Sequence, residues 1–197
     1  MSEVHFERYS NIIFDLDDTI IFEKDYLFEV YRLVSKKANN CGYCENDIFG
    51  FLINEFSNHG RKDIFQKLTG KYESLLNINE FFDLMRGIRL PHLLNINSKV
   101  KCYLEQLYSM GKSYDIITNG NVIQQKNKIN QTDFGPFCKP DLIIYANEYQ
   151  PKPSIDSFLA YKSFKAIPGK AIYIGDSEID ANFAFNCGID FLDINYK

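Results

Sequence analysis

A chain of 197 residues with 45 % hydrophobic and 15 % aromatic content can bury one core domain and a modest insertion, the composition of a soluble globular protein. Its net charge of −4, without any basic run, excludes a nucleic acid polymer as the expected partner and points to a small ligand. No uninterrupted apolar stretch approaches the roughly 20 residues that span a bilayer, and Met1 to Tyr9 is polar with no apolar leader or cleavage site, so no membrane partner is expected and the expected localisation is cytoplasmic.

Five cysteines, an odd number spread from Cys41 to Cys187, do not make a disulfide framework and read as reduced thiols. Cys41 and Cys44 have the spacing of half a zinc site, but no second pair follows and His59 and His92 stand alone.

The first element in chain order is a short apolar run, Ile12-Ile13-Phe14, the pattern of a central parallel strand covered on both faces. It ends abruptly in Asp15, Asp17, Asp18 and Thr19. Asp15 and Asp17, two residues apart, fall on the same side of the strand's carboxyl end, where open α/β sheets bind ligands. Carboxylates held that close repel and desolvate each other unless a cation or a shared proton offsets the cost. On this stretch alone, a turn and helix cap made of Asp18 and Thr19 is the competing reading.

Residues 20–97 then carry a helical pattern, too long for a loop and too short for a large domain. Leu27, Val30, Tyr31 and Val34 recur at helical spacing, as do Ile48, Phe49, Leu52, Ile53 and Phe56, and a third cluster contains Ile78, Phe81, Phe82 and Met85. With Gly42, Gly60 and Gly70 as punctuation, the segment reads as a small helical bundle inserted into residues 1–19 and 98–197.

After it, Val100, Tyr103, Leu104 and Leu107 form a helix face closed by Gly111, suited to the left-handed position past a helix end. Strands are expected at 114–118, 141–145 and 171–175, with a weaker one at 191–194, and helices at 122–129, 154–164 and 178–187. Such alternation predicts an α/β fold, a Rossmann-like parallel sheet with helices on both faces.

Polar groups recur at the strand ends. Thr118 and Asn119 follow the second strand, Lys152 lies between Pro151 and Pro153 after the third, and Asp176 follows the fourth, with Asp180 one helical turn on. Each has a plain structural explanation by itself, but several carboxylates converging with one stiffly held cation describe an oxygen-ligated Mg²⁺ site.

Asp-Leu-Asp-Asp-Thr after an apolar strand, then Ile-Thr-Asn-Gly, Lys-Pro-Ser-Ile-Asp-Ser-Phe and Gly-Asp-Ser-Glu-Ile-Asp-Ala-Asn, resemble in this order the four motifs of the haloacid dehalogenase superfamily. The resemblance implies that Asp15 is a nucleophile and Asp17 a general acid/base. It also implies that Thr118, Asn119 and Lys152 hold the phosphoryl group, and that Mg²⁺ is bound by Asp15, Asp176 and the backbone carbonyl of Asp17, with Asp180 behind them. The implied activity is hydrolysis of a phosphomonoester of a small metabolite (a sugar, polyol or nucleoside monophosphate) through an aspartyl-phosphate. A phosphomutase on the same core and an inactive binding protein are the alternatives. The second aspartate, Asp17, favours phosphoryl transfer over dehalogenation, because a halide leaving group needs no acid. The helical insertion occupies the place of an α-helical cap, and within it the polar turn holding His59 and Arg61, with Arg86 or Arg89, could contact substrate or be ordinary surface.

Overall fold

The computed structural model describes residues 4–73, 75–137 and 139–195. In chain order its elements are β1 (Tyr9–Phe14), α1 (Glu23–Lys36), α2 (Glu45–His59), α3 (Ile64–Lys71), α4 (Ile78–Gly87), β2 (Leu94–Asn95), α5 (Ser98–Ser109), β3 (Asp115–Thr118), α6 (Val122–Asn130), β4 (Thr132–Asp133), β5 (Ile143–Tyr145), α7 (Asp156–Phe164), β6 (Lys170–Gly175), α8 (Glu178–Cys187) and β7 (Asp190–Asp193). They divide into two compact units, Met1–Glu23 with Leu93–Lys197, and Lys24–His92.

In the first unit β5, β3, β1, β6 and β7 lie side by side in that order as one parallel sheet. The expected α/β architecture is therefore present. Ile13 of β1 stands opposite Asp115 of β3 on one side and Tyr173 of β6 on the other. The chain steps outward from β1 through β3 to β5, then returns to build β6 and β7 on β1's other flank. Strand order therefore reverses between β1 and β6, and such a reversal opens a crevice beyond the carboxyl ends of the strands. The core beneath it packs Ile13, Ile117, Ile144 and Tyr173 of the strands against Phe158 and Tyr161 of α7 and Phe183 and Ala184 of α8. Each large apolar side chain buried there contributes about 1.5–3 kcal/mol. Gly111, at φ +64°, takes the left-handed position after α5 that its place predicts.

The structure differs from the expected elements in small ways. β5 is shorter than 141–145, β7 begins one residue earlier than 191, and α7 begins at Asp156 rather than 154. A separate parallel pair, β2 with β4, was not anticipated, since two-residue strands carry no readable period. Residues 20–23 and 93–97, expected in the insertion, belong to the first unit. The reason is backbone pairing: Ile21 bridges both Asp17 and Ile96, and the Asn97 amide donates to the Ile20 carbonyl at 2.7 Å. Outgoing and returning chain are thus stitched together before the second unit begins.

The second unit is helical. Leu27, Val30, Tyr31 and Val34 of α1 are buried, as are Ile48 and Leu52 of α2, and Phe56 meets Phe28 edge to face at 5.6 Å. α3 was not anticipated; only Ile64 and Leu68 of its eight residues are buried, too few for a periodic signal. In α4 Phe81 is buried while Ile78 and Phe82 are exposed, so the third apolar cluster is only partly core. Asn77 and Glu80 close a capping box at its start, each side chain bonded to the other's amide.

Candidate active site

The β1 ladder runs one residue past the strand: the Asp15 amide donates to the Ile174 carbonyl of β6 at 2.8 Å. That bond holds the buried Asp15 at the point where strand order reverses. Its Oδ1 accepts from Lys152 Nζ at 2.6 Å, and the same ammonium donates to Asp180 Oδ1 and to the Tyr173 hydroxyl, also at 2.6 Å each. An ammonium has three donors, and here all three are engaged. Burial acts against the charge of Lys152, which is 5 % exposed, but Asp15 and Asp180 outweigh it and raise its pKa overall. The Tyr173 hydroxyl donates in turn to the Ile117 carbonyl at 2.6 Å, which anchors the ammonium to β3 as well as β6.

The Lys152 backbone is fixed from the end of β3. Asn119 Nδ2 donates to the Lys152 carbonyl at 3.0 Å, and Asn119 Oδ1 accepts from the Lys152 amide at 2.8 Å. This reciprocal pair ties the proline-flanked loop to the strand end, so the Asn119 side chain acts on the loop.

Asp180 is placed by the start of α8. Ser177 is the N-cap, accepting from the Asp180 amide and donating from Oγ to Asp180 Oδ2 at 2.6 Å. A side chain on Gly175 would bring a Cβ within 2.6 Å of the Asp180 Cβ and Cγ, so this close approach requires glycine.

Asp17 is held on both oxygens. Lys128 Nζ of α6 donates to Oδ1 at 2.7 Å, and Gln125 Nε2 donates to Oδ2 at 2.8 Å. Gln125 also reaches Thr118 Oγ1 at 2.8 Å and the Asn119 carbonyl at 2.9 Å, while Lys128 also donates to Glu23 Oε1 at 3.1 Å. The Thr118 hydroxyl, buried, is part of this network and donates to the Asn119 carbonyl.

Oxygens of Asp15, Asp176 and Asp180 lie within 4.8 Å of one another. Burial pushes Asp15 up to about 7 against the pull of Lys152, with Asp180 and Asp17 adding to the rise. Burial, then Asp180 and Asp18, push Asp176 up to about 6. The carboxylates of Asp15, Asp17, Glu23, Asp176 and Asp180 outnumber the ammonium groups of Lys128 and Lys152. A cluster of hard oxygen donors with excess negative charge fits a divalent cation such as Mg²⁺.

Residues 12–194 match the family model described as haloacid dehalogenase-like hydrolase. The chain belongs to that family. A comparison with curated proteins gives no match. Among solved structures, this hydrolase is similar to a HAD phosphatase from Thermococcus onnurineus (22 % identity, TM-score 0.59, covering 94 % of this chain and 86 % of that one). It is also similar to YfnB from Bacillus subtilis, in a magnesium-bound form (17 %, 0.64, 95 % and 89 %). A third is CbbY from Rhodobacter sphaeroides in complex with phosphate (15 %, 0.55, 96 % and 90 %), a mutant form of which is in complex with xylulose-(1,5)bisphosphate.

In the first unit of this hydrolase Lys152 joins Asp15 and Asp180, Asp176 lies beside them, Gln125 links Asp17 with Thr118 and the Asn119 carbonyl, and the Asn119 side chain bonds the Lys152 backbone. His59 and Arg61 belong to the other unit, at and after the end of α2; the His59 ring is exposed and 4.0 Å from Glu55. Lys128, Gln125, Glu23 and Tyr173 were not singled out from the sequence. In α6 Gln124, Gln125 and Lys128 are buried while Ile123 is 60 % exposed, an inversion that the burial reveals and the sequence does not. No helix among the described residues is long and apolar enough to cross a membrane.

Proposed function

We propose that this hydrolase is a Mg²⁺-dependent phosphatase acting on a small phosphorylated metabolite through an aspartyl-phosphate on Asp15. The observation that carries the reading is the Lys152 ammonium shared between Asp15 and Asp180 at 2.6 Å each, beside the Asp15–Asp176–Asp180 cluster. A carboxylate paired with a buried cation, with a further cation site adjoining it, suits attack on an anionic phosphoryl group.

Asp15, Asp176 and the backbone carbonyl of Asp17 would hold Mg²⁺, with Asp180, both of whose oxygens are bonded to Lys152 or Ser177, supporting from behind. Bound there, the ion would neutralise the charge of the phosphomonoester dianion. With Oδ1 of Asp15 engaged by Lys152, Oδ2 is the attacking oxygen. It forms a bond to phosphorus as the ester P–O bond breaks, and Asp17 gives its proton to the departing alkoxide. Water then attacks the acyl phosphate and loses a proton to Asp17; inorganic phosphate leaves and the Asp15 carboxylate is restored. Thr118 and the backbone at Asn119 lie at the same strand ends and are assigned to the phosphoryl oxygens, and Lys152, whose donors hold Asp15, Asp180 and Tyr173, is assigned to them through its charge. The phosphate and xylulose-(1,5)bisphosphate complexes of CbbY support a small phosphorylated substrate. The helical unit is assigned a cap's role in specificity, since the chain leaves for it at Lys24, a few residues after Asp17.

The test is phosphate release from an activated aryl ester with Mg²⁺, with a chelator, and with Asp15→Asn. Turnover is expected with Mg²⁺ only and is abolished by the substitution, which keeps the shape of the side chain but removes the nucleophile. Undiminished activity in chelator or in Asp15→Asn would overturn the reading.

A further inference from the structure

We infer that Lys128 is a positioning residue that orients Asp17 for proton transfer, with Gln125 as the second hold on the same carboxylate. The inference rests on the reading of Asp17 as the general acid/base.

Lys128 is 1 % exposed, and a lysine so buried is rare unless its ammonium is paired. Its Nζ stands between Asp17 Oδ1 at 2.7 Å and Glu23 Oε1 at 3.1 Å. Were neutralising a buried charge its whole task, Glu23, itself buried, would serve, and nothing would require the shorter bond to reach the partly exposed Asp17. A carboxylate held through one oxygen can still turn about its Cβ–Cγ bond. Held through Oδ1 by Lys128 and Oδ2 by Gln125, both on α6 and one helical turn apart, its plane is fixed. Gln125 sets that plane against the Thr118 hydroxyl and the Asn119 carbonyl, so Asp17 is referenced to the end of β3, where the phosphoryl oxygens are assigned. Glu23 sets Lys128 in turn: its amide donates to Asp18 Oδ1 at 3.1 Å, which makes the turn after Asp17 a closed frame around the ammonium. A general acid must lie within about 2.6–3.2 Å of the atom it protonates, and a displacement of about 1 Å can cost roughly a hundredfold in rate.

The experiment compares Lys128→Met with the unaltered protein on an alkyl and an aryl phosphate, alone and combined with Asp17→Asn. An alkoxide leaves only with a proton and an aryl oxide needs little help. Read as the single-turnover release of alcohol, Lys128→Met is therefore expected to slow the alkyl ester by about tenfold to a hundredfold and the aryl ester by less than about threefold, with substrate affinity within about twofold, while the later water step, in which Asp17 is the base, slows for both. In the Asp17→Asn background the same substitution is expected to add nothing, because its effect passes through Asp17. Equal losses on both esters in the single-turnover release of alcohol, or a further loss in that background, would overturn the proposal. Crystals of Lys128→Met supply a readout that needs no activity: the Asp17 carboxylate is expected to rotate away from its present place, and an unmoved carboxylate also overturns the proposal. If the unaltered protein hydrolyses neither ester, the phosphatase reading falls and the crystal result alone judges the positioning. Should Lys128→Met fail to fold, Lys128→Met with Glu23→Gln leaves one fewer carboxylate without its cation and is read in the same ways.

Discussion

At the scale of single residues, the site depends on charges crowded to a degree the fold tolerates only with compensation. Asp15 and Asp176 stand at about 7 and about 6, so the folded protein keeps protons there that the unfolded chain releases near pH 4. Without a divalent cation, their contribution to stability is complete below about pH 4 and is lost as pH rises through 6 and 7. A cation competes with those protons, so the gain in melting temperature on adding Mg²⁺ should be larger at pH 8 than at pH 5, as thermal unfolding with and without the ion will measure. An equal gain at both values would count against these two carboxylates as ligands. Gly175 is the other residue whose place admits no substitute. Gly175→Ala forces a Cβ against Asp180, and through it against Lys152, and should cost about 1–3 kcal/mol in denaturant unfolding and most of the turnover.

At the scale of elements, helix starts do two kinds of work. Ser177 caps α8 and at the same time grips the carboxylate that holds Lys152. Ser177→Ala should lower stability by about 1 kcal/mol and also lower turnover, because Asp180 is freed. Asn77 caps α4 in the helical unit with no such second task. Asn77→Ala should show a similar loss in unfolding with phosphate release from a generic ester unaltered, and a matching loss of activity would mean that α4 reaches the chemistry. Among the elements legible in the sequence, β1, β3 and β6 read as apolar runs and α1, α2 and α5 as amphipathic stripes. α3 and the β2–β4 pair escaped because a single turn's worth of apolar residues, or two residues of strand, is too short to repeat.

At the scale of the whole molecule, chemistry and specificity are assigned to different units. His59→Ala or Arg61→Ala is expected to raise KM for the true substrate, once a phosphate-ester panel has found it, by up to about tenfold per hydrogen bond of roughly 1.4 kcal/mol, while hydrolysis of a small generic ester hardly changes. Normal kinetics on the true substrate in both variants would make that turn ordinary surface.

The sequence by itself determined that a parallel α/β core is interrupted by helices after its first strand. It also brought Asp15, Asp17, Thr118, Asn119, Lys152, Asp176 and Asp180 to the carboxyl ends of neighbouring strands, because a buried strand in a parallel sheet has only one place where polar side chains can follow it. Only the tertiary structure decided which of these groups touch. The 2.6 Å fork of Lys152, the anchoring of that ammonium by Tyr173 and the grip of Lys128 and Gln125 on Asp17 join residues up to 137 apart in the chain. Nothing local in a buried lysine or tyrosine marks its partner. The pairing arises when the strands are set in register and the cost of burying each charge is met by the one opposite.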